Sequence, residues 1–82
     1  MPTVMSLYGL RVVVYPNDHR PAHVHVMGRD CEAVFNLNCP GGPTALRENY
    51  GFSLKELNRI AAHLDAQAWY LCQQWKDLHG YF

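Results

Sequence analysis

The sequence predicts an α+β fold, a small antiparallel sheet of about four N-terminal strands packed against one long C-terminal amphipathic helix. Three observations lead there. The first half carries short valine-rich runs cut by glycine and proline, which is how strands and turns read. The stretch from Ser53 to about Leu78 holds no glycine or proline, and Gly80 stands just past its end, where helices commonly stop. Ser53-Leu54-Lys55-Glu56 supplies a capping box, in which serine and glutamate each satisfy a backbone donor of the first turn.

In chain order, Thr3 to Tyr8 and Leu10 to Tyr15 are the first two strands, with Gly9 at the turn between them. Pro16 to Pro21 is a loop, because two prolines remove donors and Asn17-Asp18 favours turning. The third strand runs from His23 to Met27. A tight Gly28-Arg29 turn would pair Met27 with Asp30, Val26 with Cys31, His25 with Glu32 and Val24 with Ala33. One face then carries Val24, Val26, Cys31, Ala33, Phe35 and Leu37 to a core, and the other presents His23, His25, Glu32 and Asn36. Asn38 to Pro43 is too rich in breakers for regular structure, and Thr44 to Asn49 reads as a helical turn.

Within the helix, Leu54, Leu57, Ile60, Ala61, Leu64, Ala68, Leu71, Cys72, Trp75 and Leu78 share one stripe at the helical repeat. Trp69 and Tyr70 fall outside it, Tyr70 on a flank with His63, Gln67 and Gln74. An unbroken helix of this length would span ~39 Å and overhang a chain whose radius of gyration is ~12 Å. Trp69, Tyr70, His63, Tyr81 and Phe82 are therefore the candidate partner-binding residues, facing a second copy or another protein.

Composition bounds the function. A chain of 82 residues, 49% hydrophobic and 17% charged, supports one domain, residues 1–82, that folds. Seven basic side chains balance seven acidic ones, so broad phosphate-backbone binding, and nucleic acid with it, is not favoured. No apolar run is long enough to cross a membrane, and no leader-like start is present. Three cysteines without paired spacing point to a reducing cytoplasm, with Cys31 and Cys72 in the core and Cys39 as an exposed loop thiol.

His23-Val24-His25 is the most distinctive string, since histidines two apart on a strand point the same way. His23, His25 and Glu32 are the candidate catalytic residues, two imidazoles and a carboxylate able to exchange protons with a hydroxyl and a leaving oxygen. Two ligands are too few for a structural zinc site, so no metal or other cofactor is expected of the isolated chain. Glu32, His19, Asp18 or a second chain would have to complete one. The motifs of histidine-triad and metallo-β-lactamase-type hydrolases fail, because Met27-Gly28 follows the pair. Arg20, Arg29 and Arg47 are the residues for a local phosphate-binding cluster.

Met1-Pro2-Thr3-Val4, Tyr15, Pro21 with His23-Val24-His25-Val26, Phe35, Gly51-Phe52-Ser53, Glu56 and Trp75 together resemble the domain-of-unknown-function 4160 family over essentially the whole chain. Ala22 and Asn36 depart from its usual proline and aromatic. The resemblance implies a small bacterial protein, often encoded beside a domain-of-unknown-function 2442 protein in a toxin–antitoxin-like pair. It carries over no catalytic residue. The expectation is a non-enzymatic protein-interaction component of such a module, with a histidine-based or metal-dependent ribonuclease toxin using His23 and His25 as the alternative.

Overall fold

Val24 and Val26 alternate with His23 and His25, which sends the two valines to the core and the two histidines to the opposite face. The computed structural model describes residues 3–82, so the Met1-Pro2 start of the family-like pattern lies outside the described residues. Strands β1 (Thr3–Leu7), β2 (Leu10–Val13), β3 (His23–Met27), β4 (Glu32–Asn36) and β5 (Ala45–Tyr50) form an antiparallel sheet in sequential order. Helices α1 (Leu54–Ala66) and α2 (Ala68–His79) follow. Val12, Val26 and Ala33 lie in one register row and are fully buried. They share a core with Phe35, Leu37, Leu57, Leu64 and Trp75.

The next row runs Val13, His25, Val34 and Glu48 across four strands and faces the other way. Tyr15 and Asp18, from the loop after β2, fold back over this side. The Tyr15 ring meets His25 edge-on at 4.9 Å, and the Asp18 carboxylate reaches both strand histidines.

The β3–β4 register differs from the expected one by two residues: Met27 pairs with Glu32, Val26 with Ala33, His25 with Val34 and Val24 with Phe35. Gly28 N–H donates to Cys31 O, so the chain turns at Arg29-Asp30 instead. A shift of two keeps every side chain on its face. A Cβ at Gly28 would sit 2.7 Å from Cys31 Sγ and 3.0 Å from Leu10 Cδ2, so a larger residue there would make those two side chains turn aside.

Three further expectations are corrected. Thr44 to Asn49 is no helical turn: Ala45–Tyr50 is a fifth strand, drawn into the sheet by pairing with β4 and irregular in register opposite Val34 and Phe35. The long helix is two, divided at Gln67, whose φ of −113° and ψ of 16° leave the helical region. Contacts to one loop flank the break, with Thr44 N–H and hydroxyl donating to Asp65 Oδ1 and Cys72 bonded to Cys39. The expected single helix of ~39 Å, and the overhang argued from it, therefore do not exist; the protein measures 33 × 24 × 19 Å. Leu54 and Leu78, expected in the buried stripe, are exposed because they stand at the outer ends of the two helices.

The cysteines are also corrected. Cys39 and Cys72 form a disulfide across 33 residues, which spacing could not signal, and Cys31 is the free thiol, half-buried beside the core. The inference of a reducing compartment from three free thiols loses its premise. Among the described residues no helix is long and apolar enough to cross a membrane.

Candidate functional site

Asp18 is placed before any partner arrives. Its own N–H donates to Tyr15 O, while Tyr15 N–H donates to its Oδ2 at 3.2 Å, closing a small turn that aims the carboxylate at the sheet. Below it stand the side chains of His23 and His25, on one face of β3 because they are two residues apart.

The far side of each imidazole is held. His23 Nδ1 lies 2.8 Å from the carbonyl of Pro21, and His25 Nδ1 lies 3.1 Å from Glu32 Oε2. A carbonyl oxygen and an ionised carboxylate only accept, so each Nδ1 carries a hydrogen and each ring turns its Nε2 the other way. Those two atoms meet Asp18 Oδ2 at 3.4 Å and 3.3 Å. The side chains of His23, His25 and Asp18 are 7%, 16% and 16% exposed, so water competes little for these atoms. His25 Nε2 is buried without a hydrogen-bond partner.

A pocket of about 330 Å³ opens beside the cluster. Asn17, His19, Arg20, Arg47 and Glu48 border it. Arg47 lies 3.9 Å from Glu48, and Tyr50 donates to Glu48 at 2.9 Å. That bond to a carboxylate, with the charge of Glu48 behind it, raises the Tyr50 hydroxyl above its ordinary pKa. The expected arginine cluster is only partly assembled: Arg29 sits at the β3–β4 turn against a different pocket, at the other end of the strand from Arg20.

The structure thus brings His23, His25 and Glu32 together, although Glu32 reaches His25 diagonally, opposite Met27. Of the residues able to complete the set, Asp18 does so. His19 stays on the rim. Glu48 was missed because β5 was not foreseen as a strand, and Val34 because the expected register put Glu32 opposite His25. So was the aromatic backing of His23, whose ring lies 5.3 Å from Trp75, itself stacked on His79 at 3.8 Å.

The expected partner-binding residues differ in exposure and in neighbours. Trp69 is 71% exposed, and Tyr81 and Phe82 are exposed beneath Arg20 and Lys76 respectively. The Tyr70 hydroxyl donates to Val4 O at 2.9 Å, tying α2 to β1, and the His63 ring stands edge-on to Tyr8.

Fold and site together define a small α+β protein with an imidazole–carboxylate centre on the sheet face away from its main core. The chain belongs to the family described as Domain of unknown function (DUF4160), whose profile matches residues 9–76. That span includes Asp18, His23, His25 and Glu32. No curated protein and no solved structure gives a significant match to the chain.

Proposed function

We propose that this chain is a small hydrolase of phosphodiesters, of the ribonuclease type, working at the Asp18–His23–His25 pocket. One observation carries the reading: two imidazole nitrogens and a carboxylate oxygen converge, largely shielded from water, at the edge of a pocket bordered by Arg20 and Arg47. Guanidinium groups there suit the non-bridging oxygens of a single phosphate. The attacking hydroxyl gives its proton to a base at the pocket, an imidazole Nε2 or, were an ion held there, the ion's bound hydroxide, as its oxygen bonds phosphorus, and that proton passes to the leaving oxygen as its bond to phosphorus breaks. A net charge of zero limits binding to this local contact, so affinity for RNA should fall only gently with salt.

The test is cleavage of single-stranded RNA by the purified chain, with and without divalent metal ions, beside the His25→Ala variant prepared identically. Cleavage by the wild type that disappears in the variant is expected. No cleavage, or equal cleavage by both, would overturn the reading.

A protein-interaction role in a two-gene toxin–antitoxin-like module is the second reading, favoured by the 71% exposure of Trp69. Cytoplasmic location belongs with it. The two readings are compatible, because Trp69 lies on α2 away from the residues that border the pocket.

A further inference from the structure

We infer that Asp18 Oδ2, His23 Nε2 and His25 Nε2 form a mononuclear binding site for a divalent transition metal ion, zinc being the natural occupant, with at least one coordination position open to the pocket. The first argument is an orphaned nitrogen. Pro21 O and Glu32 Oε2 accept from Nδ1 of the two histidines, which turns both Nε2 atoms toward Asp18 Oδ2. Of these atoms His25 Nε2 is buried and makes no hydrogen bond, and a bound ion would satisfy it.

Distances give the second argument. Zinc holds imidazole nitrogen and carboxylate oxygen at ~2.0–2.2 Å, so neighbouring ligands of a tetrahedral ion stand ~3.3–3.5 Å apart. The two nitrogen–oxygen separations here are 3.4 Å and 3.3 Å and match, while the two nitrogens, within 4.8 Å of each other, would be drawn to the same spacing by the ion. The third argument is the outer shell. Ligating histidines characteristically donate their other N–H to a carbonyl or a carboxylate, and these two do one of each.

Charge links the site to the proposed function, on which this last step rests. Asp18, Glu32 and Glu48 stand with Arg20 and Arg47 around the pocket, one negative charge in excess before the histidines are counted. A dication reverses the sign, and its open position would hold water or a phosphoryl oxygen.

The experiment titrates metal-free full-length protein with Co²⁺, an optical stand-in for zinc. Wild type should bind one equivalent with the intense visible bands of a four-coordinate ion, and Zn²⁺ should displace it and raise the thermal midpoint. Asp18→Ala and His25→Ala, shown by circular dichroism to be folded, should weaken binding by more than the ~10–100-fold that outer-shell changes cost. His63→Ala and Cys31→Ser should bind as wild type does. Absence of saturable binding by the wild type, binding that survives Asp18→Ala or His25→Ala, or binding lost in either control would overturn the site. RNA cleavage persisting without metal binding would sink the metal site and spare the phosphodiester reading; binding without cleavage would do the reverse.

Discussion

Glu32 holds His25 from behind: its Oε2 accepts the Nδ1–H at 3.1 Å, and the ring's other nitrogen faces Asp18. Their Cα atoms are not opposite in the ladder, so the contact depends on the glutamate's length. Glu32→Gln keeps an acceptor but loses the charge, and Glu32→Asp is too short to reach. Both should weaken Co²⁺ binding, by about 10–100-fold, while leaving the ion's visible bands four-coordinate. Loss of the bands would instead make Glu32 a direct ligand.

The Cys39–Cys72 bond fastens the proline-rich loop to α2. Denatured, unreduced protein should show one reactive thiol, from Cys31, and three after reduction. Closing a loop of 33 residues should be worth about 3–4 kcal/mol, so Cys39→Ser with Cys72→Ser should lower stability by that order in denaturant titration. Three thiols before reduction would show that the bond does not form.

The α1 capping box is complete: Glu56 N–H donates to Ser53 Oγ at 3.2 Å, and Ser53 N–H donates to Glu56 Oε1 at 2.9 Å. Ser53→Ala should cost ~1 kcal/mol. The Ser53 backbone N–H, and then its side chain, hold the Glu56 carboxyl below its ordinary pKa. A depressed carboxyl stabilises the fold above its unfolded value of about 4.3 and loses that contribution as pH falls through the folded value. Stability of the wild type and of Glu56→Gln should therefore converge on acidification. A gap that stays constant to pH 2 would contradict the assignment.

Trp69 and Tyr70 are neighbours in sequence with different roles. Tyr70→Phe removes the bond to Val4 O and should cost about 1 kcal/mol, whereas Trp69→Ser, at an exposed position, should change stability by no more than ~0.5 kcal/mol. Under the interaction reading, Trp69→Ser should also reduce association with a second copy or with the neighbouring gene product in sizing chromatography. Unchanged elution beside such a partner would remove Trp69 from the interface.

Much of the sheet could be read from residues 10–37, because valine alternation survives the two-residue error in register. The cap at Ser53 was visible for the same reason, a local rule with a local cause. What escaped depends on distant contacts. Ala45–Tyr50 has neither strong alternation nor β-branched residues, and becomes a strand by lying beside β4. Gln67 carries no breaker, and the helix divides between contacts at Asp65 and Cys72 with one loop. Asp18 could be nominated but not chosen, because a loop's path is set by hydrogen bonds such as those joining it to Tyr15.

The most direct measurement is anomalous scattering at the zinc edge from crystals of the protein grown with one equivalent of Zn²⁺. The account predicts a single peak within ~2.0–2.2 Å of Asp18 Oδ2, His23 Nε2 and His25 Nε2, with Glu32 still bonded to His25 Nδ1. An empty cluster with zinc elsewhere on the chain, or no peak at all, would contradict it.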